Sequence, residues 1–267
     1  MIKLLVLDMD GTLYNSKVEL TERNYNAVMK AQEKGVRIAL ASGRSHFVLK
    51  DIIDTLQLAE YDGFIIGNNG QELYDFKQKT ITKEDKIKLS ACKKLVQVAL
   101  KRNLEVFGHN DEVGYSYEPK EGSKLHPGRG TRRFDEAKGY FTEEMDMDKI
   151  GVFIAADRTD SYEILKELQD LIQDEAQCIL VNTNCIELVP VGMDKVNGID
   201  RIVKRYGFEK EEILVMGDGQ NDLGMAKKYP FVAMANALDE VKKEAMRLTL
   251  SNDEDGVAIE IEKSILN

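Results

Sequence analysis

Short, nearly uninterrupted apolar runs alternate with amphipathic stretches at both ends of this chain. The first run, IKLLVL at residues 2–7, is bounded by turn residues, as expected of a parallel strand buried on both faces. It stops at Asp8, and Gly11 marks a turn. An amphipathic pattern over 21–34, with Gly35 placed as a C-cap, predicts a helix, and VRIALAS predicts a second strand. A helix over about 45–56 then leads to GFIIGNNG, a third strand closing on Asn69 and Gly70, which is a hairpin signal. The segment QELYDF returns from it.

From about Thr82 the texture changes. A Lys-rich helix is predicted from there to Arg102, followed by two strand-like pieces within 104–117 and a Gly/Pro/Arg loop to about Arg133. The run IGVFIAA, a helix over about 159–173 and the strands QCILVN and CIELVP complete an α+β insert. From Lys195 the α/β alternation resumes, with a helix to Tyr206, strand ILVMGD, a short helix from Asn221, strand FVAMA, a helix from Leu238 and a last helix from about Asp253. The pattern predicts an α/β protein: a core of residues 1–82 and 189–267 built on one parallel sheet flanked by helices, with an inserted α/β domain over 83–188.

Composition narrows the partners. The 267 residues, 43% of them hydrophobic, are enough for two ordinary domains. A formal charge of −10 argues against a general nucleic-acid or anionic-membrane surface, since both need basic fields. Cys92, Cys178 and Cys185 form no CxxC pair and suggest neither a disulfide framework nor a zinc site. No apolar run of about 18 residues exists, and the run before Asp8 is too short for a signal segment. The expectation is a cytoplasmic protein with reduced thiols, no nucleic-acid or membrane partner and no evident obligate protein partner.

The strand ends carry the candidate chemistry. Asp8 and Asp10 lie two apart, so in an extended segment they face the same side, at the strand end where open α/β sheets place ligands. Such close like charges repel unless a cation or proton is shared. A second acidic cluster, GDGQND, brings Asp218 just past another buried strand, with Asn221 and Asp222 opening a helix. Each cluster alone also reads as a Gly/Asp turn or a helix N-cap. Two of them at separate strand ends are harder to explain that way, and together they suit Mg²⁺, which takes oxygen ligands from one or two carboxylates, water and phosphate. Lys195 stands where the chain returns from the insert, and Ser42, in ASGR, ends the second strand, where a hydroxyl and the following N–H groups can cradle a phosphoryl oxygen. Taken singly, these read as a surface lysine and an N-cap serine.

Together and in this order, DMDGT, ASGR, Lys195 and GDGQND resemble the four motifs of the haloacid dehalogenase superfamily, and NNG at 68–70, MANA at 234–237 and SNDEDGVA resemble its Cof-type IIB branch. Val196 and Ala235 stand where that branch often has glycine. The resemblance implies a Rossmann-like core with a C2B-type cap, Asp8 as nucleophile, Asp10 as general acid/base, and Ser42 and Lys195 as further catalytic groups. It implies Mg²⁺ held by Asp8, Asp10 through its backbone carbonyl, Asp218 and Asp222. Thr12, Gly43, Arg44, Asn69 and Asn221 are the candidate substrate contacts. The expected activity is hydrolysis of a small phosphorylated metabolite, a sugar phosphate or phosphorylated cofactor, through an aspartyl-phosphate. A phosphomutase using the same intermediate and a non-catalytic phosphate-binding module are the rivals. The basic stretch 119–133, with Lys120, Lys124, Arg129, Arg132 and Arg133, could meet an acidic substrate or be a solvated loop.

Overall fold

A computed structural model of the chain describes residues 1–110, 113–117, 132–133 and 146–267. The basic stretch, apart from the backbone of Arg132 and Arg133, lies outside the described residues. The chain forms two compact units, one of Met1–Glu84 with Asp194–Asn267 and the other of Asp85–Met193.

In chain order the first unit opens with β1 (Leu4–Asp8), α1 (Glu22–Glu33), β2 (Arg37–Ala41), α2 (Lys50–Thr55), β3 (Phe64–Gly67), β4 (Glu72–Asp75) and β5 (Thr80–Lys83). The second unit holds α3 (Leu89–Arg102), β6 (Glu105–Asn110), β7 (Val113–Tyr117), β8 (Arg132–Arg133), β9 (Lys149–Phe153), α4 (Ser161–Ile172), β10 (Gln177–Asn182) and β11 (Cys185–Val189). The first unit resumes with α5 (Lys195–Tyr206), β12 (Ile213–Gly217), α6 (Leu223–Lys228), β13 (Phe231–Ala233), α7 (Asp239–Glu244), β14 (Arg247–Leu248) and α8 (Gly256–Ile261).

The eight strands of the first unit follow the order β14-β13-β12-β1-β2-β3-β4-β5, parallel from β14 to β3 and antiparallel for β4 and β5. All five residues of β1 are buried because the sheet is covered on both faces. Leu5 and Leu7 pack with Ala27, Val28 and Ala31 of α1 and Val257 and Ile261 of α8, whereas Leu4 and Val6 pack with Ile199 and Ile202 of α5 and with Met225. Alternate side chains point to opposite faces, so a two-sided strand must be apolar throughout. Helix α1 is capped by Thr21, whose Oγ1 accepts the Asn24 N–H at 3.2 Å.

Several expectations change at the margins. The helix read from about Thr82 begins at Leu89, because residues 80–83 pair with β4 as a largely exposed edge strand. The helix read over 45–56 is a 3₁₀ turn, His46–Leu49, followed by the short α2. The sheet is parallel only as far as β3.

In the second unit the sheet order is β10-β11-β9-β6-β7-β8, antiparallel except for the β7–β8 pair. Helices α3 and α4 cover one face, packing Leu95, Ala99, Ile164 and Leu168 against Val106, Ile150, Val152 and Ile186. All three cysteines are free and buried here, and burial pushes the Cys92 and Cys178 thiols up to about 12, which makes them poor nucleophiles. No helix among the described residues is long and apolar enough to cross a membrane.

Candidate active site

Strands β1 and β12 are neighbours in the sheet, and the chain runs outward from them in opposite directions, through β2 and β3 on one side and β13 and β14 on the other. Ligands in open α/β sheets bind at such a switch point, beyond the carboxyl ends of the strands. Asp8 is the last residue of β1, and Asp218 follows the last residue of β12. Past Asp8 the chain curls back, with Leu13 N–H donating to Asp8 O at 3.2 Å and Tyr14 N–H to Met9 O at 2.9 Å. Gly11 in this curl has φ +86°, and a Cβ there would lie 2.4 Å from Asp218 Oδ2, so glycine lets the carboxylate rest against the backbone.

The loop after β12 is tied by Asp222. Its Oδ2 accepts the N–H groups of Asp218 and Gly219, both at 2.9 Å, and its Oδ1 accepts from Lys195 Nζ at 2.7 Å. Lys195 is the first residue of α5, which Asp194 and Asn197 cap reciprocally through Val196 N–H to Asp194 Oδ1 at 2.7 Å and Asp194 N–H to Asn197 Oδ1 at 2.8 Å. With 0% of its surface exposed, Lys195 also donates to Asp8 Oδ1 at 2.5 Å. A lysine is almost never this buried unless paired, and here it has two carboxylates.

One ligand atom each from Asp8, Asp218 and Asp222 lie within 4.8 Å of one another. Burial, then the charge of Asp222, holds the Asp8 carboxyl well above its usual range, against the pull of Lys195. Burial and Asp222 likewise push Asp218 up to about 6. Burial pulls Lys195 down, but the charges of Asp222 and Asp8 and their hydrogen bonds outweigh it and hold the ammonium above its ordinary value. Three carboxylates against one ammonium leave two negative charges in a buried cluster whose donors are all oxygen. That donor set fits a hard divalent cation. Both oxygens of Asp222 already serve Lys195 and the loop, so Asp8 and Asp218 are the carboxylates better placed to hold it.

The other candidates form two further sets. Ser42, just after β2, donates its N–H to Ile66 O at 2.8 Å, and its Oγ accepts the Arg44 N–H at 3.1 Å, which leaves the hydroxyl proton available to a ligand. Arg44, across Gly43, donates from Nη2 to Asp10 Oδ1 at 2.6 Å; the Asp10 side chain is 52% exposed. Asn221 Nδ2 donates to Asn69 Oδ1 at 3.3 Å, linking the loops after β12 and β3. Thr12, proposed to meet substrate, is fully buried, and its hydroxyl is spent on Asp218 Oδ1 at 3.0 Å.

Three residues of this neighbourhood had no role assigned from sequence. Asn236, the polar residue of MANA, donates to Gly11 O at 2.8 Å and Asp218 Oδ2 at 3.5 Å. An asparagine among alanines just past a buried strand was its signal. Arg201 of α5 donates to the Gly70 carbonyl, and Glu72 of β4 bonds His46, Ser45 and Asn68. Nothing local in the sequence distinguishes either from an ordinary surface charge.

Known proteins resemble this chain over nearly its whole length. A family model described as haloacid dehalogenase-like hydrolase matches residues 5–261. The chain is 28% identical, over 99% of its length and 96% of the relative's, to the 5-amino-6-(5-phospho-D-ribitylamino)uracil phosphatase YcsE of Bacillus subtilis. The crystal structure of a haloacid dehalogenase-like hydrolase from Bacteroides thetaiotaomicron superposes with a TM-score of 0.81 at 30% identity, covering 98% of this chain and 99% of that one. A structure described as a HAD subclass IIB sugar phosphatase, 24% identical with 98% of each chain covered, shares the fold with a TM-score of 0.82. With its switch-point acidic cluster and a family match spanning nearly its whole length, the chain belongs to the haloacid dehalogenase-like hydrolases, in their Cof-type phosphatase branch.

Proposed function

We propose that this chain is a Mg²⁺-dependent phosphatase for a small phosphomonoester, a sugar phosphate or phosphorylated cofactor, with Asp8 as its nucleophile. The observation that carries this reading is the fully buried Lys195, bonded at once to Asp8 and Asp222 beside Asp218. The ammonium orients Asp8 and presents positive charge where phosphoryl oxygens would gather. An Asp8 oxygen bonds to phosphorus as the ester O–P bond breaks, and Asp10 gives its proton to the leaving oxygen. Asp10 then takes a proton from water, which attacks phosphorus and frees Asp8 and inorganic phosphate. The Ser42 hydroxyl donates to the equatorial oxygens, and Asp222 keeps Lys195 and the Asp218 loop in place. Bound by Asp8 and Asp218, Mg²⁺ would supply the charge neutralisation that lets a carboxylate approach a phosphate. The inserted unit, Asp85–Met193, is read as the cap that selects the substrate.

The test is inorganic phosphate release from sugar phosphates, nucleotides, pyridoxal phosphate, flavin mononucleotide and 5-amino-6-(5-phospho-D-ribitylamino)uracil, with Mg²⁺ and with EDTA. Release should require Mg²⁺ and concentrate on one or two compounds. Asp8→Asn should leave the fold intact and less than about 1% of the activity. Activity above a few per cent in that variant, or release indifferent to EDTA, would overturn the assignment.

A further inference from the structure

Glu72 opens β4 opposite Gly67 and is 1% exposed, yet no step proposed above uses it. A carboxylate is costly to bury unless its oxygens are hydrogen-bonded. Glu72 Oε2 accepts from Ser45 Oγ at 3.1 Å and Asn68 Nδ2 at 3.3 Å, while Oε1 pairs with His46 Nδ1. These partners belong to two loops, residues 42–46 after β2 and Asn68–Gly70 after β3. The same loops are joined through the backbone, by Asn68 N–H to Arg44 O and Asn69 N–H to Ser42 O, both at 3.1 Å. The second loop follows an uncommon path: Asn68 and Asn69 have successive φ of 49° and 53°, in the left-handed region that glycine and, less often, asparagine adopt. Such a loop keeps its shape only where its surroundings enforce it, and Glu72 grips it at Asn68.

We propose that Glu72 is a positioning residue for phosphoryl transfer. Through Ser45 and His46 it fixes the 42–46 loop, and so holds the Ser42 hydroxyl against the phosphoryl oxygens and Arg44 against Asp10. The proposal rests on the phosphatase reading above, with Ser42 as the group through which Glu72 acts.

The experiment compares Glu72→Ala and Glu72→Gln, each alone and combined with Ser42→Ala. It reads kcat and KM on the best substrate, orthovanadate binding by calorimetry with Mg²⁺, and Tm. Glu72→Ala should lower kcat at least about tenfold with KM within about twofold, because the Ser42 contact acts on the transition state. Glu72→Gln, which still accepts at one oxygen, should recover most of that loss. In the Ser42→Ala background Glu72→Ala should cost less than about twofold further, since the group it positions is gone. A purely structural glutamate would lower Tm while leaving kcat per folded molecule unchanged, or would cost the same factor in both backgrounds; either result overturns the proposal. If Glu72→Ala fails to fold, Glu72→Gln and His46→Ala carry the comparison. Were the native protein to release phosphate from nothing, the phosphatase reading would fall, and vanadate binding would decide Glu72: weakening confined to the native Ser42 background upholds its positioning role, and equal binding refutes it.

Discussion

Replacing Asp218 by Asn should stabilise the metal-free protein while abolishing its response to metal. Burial, followed by the charge of Asp222, raises the Asp218 carboxyl from 3.8 to about 6. The folded protein therefore holds this proton more tightly than the unfolded chain, so stability falls as pH rises from about 4 to about 6 and the deficit then stays constant. At about 1.4 kcal/mol per pH unit the deficit is about 3 kcal/mol. An asparagine has no charge to desolvate, and its amide oxygen can still accept from Thr12 Oγ1, which lies 3.0 Å from Asp218 Oδ1. Its amide nitrogen would face Asn236 Nδ2, 3.5 Å from Asp218 Oδ2, which takes back a little. A net gain of about 2 kcal/mol, or about 4–8 °C in Tm, follows. Thermal unfolding in EDTA at pH 7.5 and pH 4.5 checks this; the Asp218 charge also raises the Asp8 carboxyl, so its removal relieves Asp8 at pH 7.5 in the same direction. The variant should melt higher at pH 7.5, the gap should close on acidification, and Mg²⁺ should raise the Tm of the native protein alone. A variant melting at or below the native protein at pH 7.5, or a gap that widens in acid, would refute the reasoning.

Two further substitutions probe the same cluster from other sides. Lys195→Met leaves Asp8 and Asp222 buried without their shared cation, and should cost about 3–5 kcal/mol in urea unfolding and at least about 100-fold in kcat; a stable, active variant would remove Lys195 from its role. Gly70→Ala places a Cβ 1.8 Å from the Asp194 carbonyl oxygen at φ +98°, so the start of α5 must shift. The expected loss is at least about 2 kcal/mol, with kcat falling because Lys195 moves, and unchanged kcat would show that the helix start tolerates the shift.

How much of this was legible in the sequence depends on whether burial writes itself into a local pattern. Strands β1, β2, β3 and β12 are covered on both faces, so they appear as apolar runs, and the turn that ends each run marks a site residue: Asp8, Ser42, the Asn69 loop and Asp218. Strands β5 and β14 lie at the sheet edges, short and with no buried residue, and leave no such run. The helix read from Ser45 opens as a 3₁₀ turn for a different reason. Ser45 and His46 are drawn to Glu72, 27 and 26 residues on, and the chain takes a 3₁₀ turn before α2 begins. Glu72 itself looks like any polar position in a short strand, because the donors that justify burying it come from other loops.

The acidic motif GDGQND shows the same limit on a finer scale. Asp218 and Asp222 are both carboxylates at one strand end, and spacing alone makes both metal ligands. Their donors separate them. Asp222 has one oxygen on two backbone N–H groups and the other on Lys195, so both oxygens are already engaged. Asp218 receives the Thr12 hydroxyl and one distant amide, lies beside the Asp8 carboxyl, sits against a glycine that leaves it room, and retains a raised carboxyl pKa. It is the under-compensated member of the pair, and an added cation gains most by binding there. Asp222 is thus the less available of the two to a cation: it fixes the loop that presents Asp218, and it holds the ammonium that limits how much positive charge the cluster still needs.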